Sequence, residues 1–98
     1  MNSDDLRHTI ARSTDSDEMI SAEAKQHLLQ EDEAIIPALI DEFYAGVNLP
    51  TGTVLLDIIG QIGGYLAVNL FFELLEDKNT PINWREKTEY WLYHDGFL

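Results

Sequence analysis

The sequence predicts an all-α protein with one folded domain. Its 98 residues are enough for a single hydrophobic core, and 45% of them are hydrophobic, so the chain is expected to fold. Large apolar residues recur at helical spacing in successive segments, which is the pattern of an amphipathic helix. Stretches that carry Gly, Asn or Pro separate these segments and predict turns. Two helical hairpins preceded by one further helix are therefore expected.

The N-terminal residues are predicted to differ from the rest of the chain. Residues 1–16 are polar, with Leu6 and Ile10 as their large apolar positions, and are expected to form a flexible tail or a short loose helix. Residues 17–98 form the single helical domain. Its first helix spans residues 17–32, because apolar residues recur there at every fourth position: Ile20, Ala24 and Leu28.

The first hairpin is predicted on either side of a turn that contains Pro50. Its first helix, residues 33–47, ends at Gly46 and has one apolar side: Ile35, Ile36, Leu39, Ile40 and Phe43. Its second helix begins at a threonine after Pro50, stops at Gly63 and has an apolar side of its own: Val54, Leu55, Ile58, Ile59 and Ile62.

The second hairpin repeats the pattern of the first. Residues 66–77 and 83–94 are the predicted helices, and residues 78–81 are the turn between them. The inward positions of the two first helices correspond in order: Ile36, Leu39, Ile40 and Phe43 match Val68, Phe71, Phe72 and Leu75. Internal similarity of this kind is typical of repeat proteins.

Residues 34–42, taken together with residues 59–63, resemble the HEAT repeat, including its phycobilisome-lyase-like variety. Residues 67–77 and 84–86 look like a second copy of the same pattern. The resemblance implies a short α-solenoid of about two HEAT-like hairpins, with the N-terminal helix as a cap. It also implies that the second helices line a concave surface that binds proteins, and it implies no reaction.

The excess of acidic residues limits the classes of partner. The chain has 18 acidic and 6 basic residues and a formal charge of −12, which repels nucleic acid phosphates and anionic lipids. Direct binding to nucleic acid or to a membrane is therefore not expected. A basic partner protein is compatible with this charge, and so is a surface that merely keeps the protein in solution.

Cysteine is absent, which excludes disulfides, thiol catalysis and cysteine metal sites and is typical of a reducing compartment. The first residues are acidic where a signal peptide would be basic. The apolar stretches are interrupted by polar residues and are too short to span a membrane. A cytoplasmic location is expected.

One group of residues has the spacing of a metal site. Glu23, His27 and Glu31 follow one another at four-residue steps and would meet along one side of a helix. A histidine beside an apolar stripe, with solvated carboxylates around it, is the favoured interpretation, because no further ligand cluster accompanies the three. No catalytic, cofactor or metal residue is therefore assigned, and a metal-dependent enzyme remains the less favoured alternative.

Two groups of residues are candidates for binding a partner. The first is an extra apolar stripe on the helix of residues 66–77, which the N-terminal helix, a second copy of the chain or a partner must cover: Leu66, Leu70 and Leu74. The second group lies on the outer sides of the two second helices, where aromatic and acidic side chains together suit a basic partner: Asp57, Gln61, Glu86, Glu89, Tyr90 and Tyr93.

A non-catalytic protein-protein interaction module is the predicted function. The alternative is an inhibitor, such as an immunity protein that neutralises a toxin or a nucleic-acid enzyme, or a DNA mimic, because a short acidic chain without an enzyme motif suits that role. Scaffolding or regulation fits the sequence nearly as well. A homodimer is expected if the N-terminal helix does not cover the hairpins.

Overall fold

A computed structural model describes residues 2–98 of the protein, and over these residues the fold is all-helical, without strands. This confirms the predicted fold class. The six α-helices are α1 (Ser3–Arg12), α2 (Glu18–Gln30), α3 (Ile36–Tyr44), α4 (Leu49–Ile62), α5 (Tyr65–Glu76) and α6 (Ile82–His94). A short 3-10 turn, Glu33–Ile35, leads into α3.

Helix α1 lies in the segment for which the sequence predicts a flexible tail or a short loose helix. Leu6 and Ile10 lie one turn apart on the same side of α1, and both are buried in the core. The Asn2 side chain caps the helix by accepting a hydrogen bond from a backbone N–H of the first turn. The guanidinium of Arg7 contacts the Glu42 carboxylate on α3 at 3.0 Å. These contacts order a segment whose composition alone indicates a tail.

Helix α2 forms where the sequence predicts it. Asp17 is the N-cap, and its carboxylate accepts hydrogen bonds from the backbone of the first turn. Ala24 and Leu28 are fully buried, as their spacing predicts. Helix α2 packs on α1 and on α4.

Pro50 lies inside a helix and not in the turn before it. Helix α3 ends at Tyr44, and Gly46 has a positive φ of 107° in the short connection. The Asn48 side chain then caps α4 by accepting a hydrogen bond from the Thr51 N–H. Pro50 is tolerated in this first turn, because the N–H groups there have no partner within the helix.

The helices pack as sequential pairs that also contact one another. Helix α1 packs on α2, α3 on α4, and α5 on α6. Between pairs, α2 contacts α4, α4 contacts α6, and α3 contacts α5. All six helices contribute side chains to one hydrophobic cluster, with Phe71 of α5 among its fully buried members.

Candidate functional site

Two glycines of α4 allow α6 to approach closely. Gly52 and Gly60 are buried and lie about two turns apart on α4. The Trp84 indole covers Gly52 and the Trp91 indole covers Gly60, so a Cβ atom at either glycine would overlap a ring. The two tryptophans are also about two turns apart on α6. They therefore fit into the space that the missing side chains leave.

Asp57 joins α4 to α6 between these two contacts. Its Oδ1 accepts a hydrogen bond from the Trp91 Nε1–H at 3.1 Å, and its Oδ2 lies 3.0 Å from the Lys87 Nζ. The Asp57 side chain is 32% exposed. The sequence predicts this carboxylate to be solvated or to face a partner, whereas the structure engages both of its oxygens within the protein.

The surface formed by α2, α4 and α6 has two depressions. One, of about 380 Å³, lies between α4 and α6 and is lined by Thr53, Asn83, Glu86, Lys87 and Tyr90. The other, of about 170 Å³, lies between α2 and α4 and is lined by Lys25, Leu29, Val54, Asp57, Ile58 and Gln61. The Asp57–Lys87 pair joins them, because each partner lines one depression. We call this surface the α2–α4–α6 face.

Tyr90 is the most prominent aromatic side chain of the α2–α4–α6 face. It is 57% exposed. Its ring packs edge-on against Trp91 at a centroid distance of 5.0 Å and stacks near His94 at 6.3 Å. Because Trp91 is itself held by Asp57 and Gly60, the Tyr90 ring has fixed neighbours on its inner side.

Of the other predicted contact residues on the second helices, two line a depression of the face and two do not. Gln61 is exposed and lines the α2–α4 depression, and Glu86 is exposed and lines the α4–α6 depression. Glu89 and Tyr93 are exposed on α6 but line neither depression. The face thus brings together Asp57, Gln61, Glu86 and Tyr90.

Charge on the α2–α4–α6 face is nearly balanced. The lining carboxylates are those of Asp57 and Glu86, and the lining ammonium groups are those of Lys25 and Lys87. The net charge of −12 therefore resides mainly outside this face.

The leucine stripe of α5 is mostly buried and does not form a binding surface. Leu70 and Leu74 are buried in the core, and Leu66 alone remains exposed. Helix α5 packs on both α3 and α6, so two neighbours of the same chain cover its two apolar stripes. The N-terminal helix predicted to cover them, α2, packs on α4 instead.

Glu23, His27 and Glu31 do not converge. Among the described residues there is no group of three or more His, Asp or Glu that could hold a metal ion. Glu31 and His27 line a cleft of about 440 Å³ together with Arg12 of α1. Asp5, His8 and Thr9 of α1 complete the lining of this cleft.

Three interactions were missed by sequence reasoning because they join residues far apart in the chain. The Tyr44 hydroxyl donates a hydrogen bond to the Glu73 carboxylate at 3.0 Å, and partial burial followed by this carboxylate raises the pKa of Tyr44 to about 12. The Arg85 guanidinium donates to the carbonyl of Leu75 in α5 and to that of Asp77, the residue after the helix. The Gly–Trp contacts could have been suspected from one feature of the sequence. The two glycines are about two helical turns apart, and so are the two tryptophans.

Among the described helices, none has the length and apolar character needed to cross a membrane. Comparison of the chain with protein-family models, with curated proteins and with solved structures found no match.

Proposed function

We propose that this protein is a non-catalytic protein-binding module and that the α2–α4–α6 face is its binding surface. The observation that carries the proposal is the position of Tyr90, which is exposed beside a depression and held from below by Trp91. Exposed tyrosines with fixed neighbours make effective anchors at protein interfaces, because they bury a large area and lose little conformational freedom.

The order of helix contacts supports a HEAT-like arrangement for this module. The three sequential pairs are α1 with α2, α3 with α4, and α5 with α6, and their second helices contact one another in order. In the HEAT-like solenoids that the sequence resembles, the second helices line the binding surface. We therefore propose three stacked hairpins, in which the α1–α2 pair replaces the single capping helix.

The charge of the whole protein and the charge of the face have different effects on binding. A net charge of −12 attracts a basic protein over a long range and speeds its association. The balanced charges of the face itself suit a contact made by hydrogen bonds and aromatic packing. We expect a basic partner whose association rate depends on salt more strongly than its dissociation rate. The absence of cysteine suits a cytoplasmic site of action.

Affinity capture from the source cell tests the proposal with matched variants. Wild-type protein is expected to retain a specific partner that Tyr90→Ala retains at least about tenfold less well, because interface anchors account for most binding energy. Met19→Ala is the control, since Met19 is an exposed apolar residue of α2 outside both depressions. Equal retention by all three proteins would contradict the assignment of the face.

An inhibitor of a basic nucleic-acid enzyme is the second candidate function. The observation that favours it is the charge of −12 on 98 residues, which would direct the protein to a cationic active site. The test is to assay the captured partner. A nuclease whose activity falls to zero at one equivalent of this protein would support inhibition, and a partner without such activity would leave the binding module alone.

A further inference from the structure

A groove lies beside the start of α5. We call it the α5 groove, and its side chains are those of Tyr65, Val68, Asn69, Phe72, Asp95 and Phe97. Its volume is about 550 Å³. We propose that the α5 groove binds a short basic peptide segment of a partner protein by taking up one of its large apolar side chains. This inference goes beyond the proposed function, because the groove and the α2–α4–α6 face have no lining residue in common.

One wall of the groove is positioned by the backbone at the end of α6. The Phe97 N–H donates to the Leu92 carbonyl at 2.8 Å, and the Gly96 N–H donates to the Tyr93 carbonyl at 3.1 Å. Together with the positive φ of 84° at Gly96, these bonds form a Schellman motif. The motif directs the Phe97 ring edge-on against Phe72 of α5, at a centroid distance of 6.1 Å.

Two aromatic side chains of the groove remain largely exposed. Tyr65 is 77% exposed and Phe97 is 52% exposed. Leu66 and Leu98 are exposed close to them in the chain. Exposed apolar side chains that gather around one concave site mark interaction surfaces more often than scattered ones do.

Two carboxylates lie at the groove, those of Asp95 and Glu33. Asp95 is the one charged side chain among those that line it, and its carboxylate lies 3.3 Å from the Nδ1 of His94. The Glu33 carboxylate lies against Gly64, at the N-terminal end of α5. The acidic side chains therefore have no lysine or arginine beside them in the lining.

Positive charge lies elsewhere in the molecule. The six basic residues of the chain belong to α1, α2, the α5–α6 connection and the first half of α6: Arg7, Arg12, Lys25, Lys78, Arg85 and Lys87. The groove lies at the other end of the α5–α6 pair, beside the start of α5 and the residues that follow α6. The rim is therefore acidic while the floor is apolar.

The acidic rim and the apolar floor together favour a basic peptide over other occupants of the groove. A second copy of the chain would bring another charge of −12 to an acidic rim, and an anionic lipid would be repelled for the same reason. A segment with Lys or Arg on either side of a Leu or Trp satisfies both the floor and the rim. The volume of the groove suits one large side chain together with part of its backbone.

Nuclear magnetic resonance titration of the ¹⁵N-labelled full chain tests the proposal. The probe is the acetylated and amidated peptide Lys-Lys-Leu-Trp-Lys-Lys. We expect the amide resonances of Gly64, Val68, Phe72 and Phe97 to shift until binding saturates. The dissociation constant is obtained from this titration curve. The control peptides replace all Lys by Glu, or Leu and Trp by Ala, and both should bind at least about tenfold more weakly.

Matched variants then locate the site. Phe97→Ala should weaken binding of the peptide about tenfold, whereas Tyr93→Ala, which removes an exposed aromatic ring outside the groove, should not. Asp95→Asn should weaken binding more than Glu86→Gln, which makes the same change of charge on the α2–α4–α6 face. Tyr65→Ala repeats the test on the other wall if Phe97→Ala loses helix content by circular dichroism.

Several results would overturn the proposal. Equal affinity for the Glu peptide or the Ala peptide would remove the stated chemistry of the occupant. Shifts confined to the α2–α4–α6 face would place the peptide on the wrong surface. A dimer of the free protein in sedimentation, lost in Phe97→Ala, would show that a second copy occupies the groove. None of these results bears on the Tyr90 capture experiment, so the two proposals can fail separately.

Discussion

Trp91 of α6 occupies the space above Gly60 of α4 that a side chain at position 60 would otherwise fill. The same indole donates its N–H to Asp57, one turn earlier on α4. One tryptophan therefore depends on two properties of the facing helix, the absence of a Cβ atom and the presence of an acceptor. Each property can be changed by a single substitution.

Gly60→Ala should destabilise the fold, although Ala favours helices over Gly. The gain in helix propensity is about 1 kcal/mol, and overpacking in a filled core costs about 1–3 kcal/mol, so we expect a net loss in the free energy of unfolding. Urea denaturation measures it. Gln61→Ala, next to it on the exposed side of α4, is the control and should change stability little. A more stable Gly60→Ala protein would show that Trp91 moves aside without cost.

The cost of Gly60→Ala should shrink when Trp91 is made smaller. We expect the double variant Gly60→Ala with Trp91→Leu to lose less stability than the sum of the two single variants, because the added methyl group then has space. Additive losses in the double-mutant cycle would mean that the two residues do not interact.

Asp57→Ala should cost more stability than Asp57→Asn. Asn keeps an acceptor for the Trp91 N–H and loses the pair with Lys87, whose side chain is partly exposed, so its cost should stay below about 1 kcal/mol. Ala removes the acceptor as well and should cost about 1–3 kcal/mol, since a largely buried donor loses its partner. Chemical denaturation distinguishes these, and equal losses for Asn and Ala would assign the stability to the ion pair.

Arg85→Ala should loosen the end of α5. The guanidinium donates to two carbonyls near the end of that helix, which have no partner within the helix itself. We expect a loss of about 1.5–3 kcal/mol, which is the range for hydrogen bonds to a charged group. Amide hydrogen exchange should rise in the last turn of α5. Lys78→Ala, in the neighbouring turn, is the control, and unchanged exchange in Arg85→Ala would contradict the capping role.

High pH should destabilise the protein through Tyr44. Partial burial and the hydrogen bond to Glu73 raise the Tyr44 pKa from 10.0 to about 12, so the folded state favours the neutral phenol. Its contribution to stability is complete below pH 10 and is lost as the pH rises towards 12. Tyr44→Phe should remove this part of the pH dependence, whereas Tyr93→Phe should retain it. Denaturation at several pH values with each variant provides the measurement.

Helical spacing predicted most of the helices and much of the core. Leu28, Leu39 and Phe71 are fully buried, as the pattern of apolar residues indicates. Helix α1 was predicted only as an alternative to a tail, since Thr9 and Ser13 fill buried positions that a search for apolar residues passes over. Their hydroxyl groups donate to backbone carbonyls of the same segment, which makes burial of these short polar side chains possible.

The sequence predicted the exposure of several candidate contact residues, but not the contacts that the candidate residues make with other helices. A helical wheel shows which side of a helix is apolar, but not how many neighbours that side meets. For this reason Leu70 and Leu74 looked available to a partner, although α3 and α6 together bury them. Asp57 looked solvated because its hydrogen-bond donor, Trp91, lies on another helix. The exposure of Tyr90 was predicted, since the outer side of a helix can be read without tertiary information.

The placement of Trp84 and Trp91 determines what fluorescence reports about this protein. These are its two tryptophans, and both rings cover glycines of α4, while the α1–α2 pair contains no aromatic residue. Indole emission therefore follows the separation of α6 from α4 and is blind to fraying at the N-terminal end. Circular dichroism detects all six helices, so a difference between the two unfolding curves would reveal that the first pair detaches before the others.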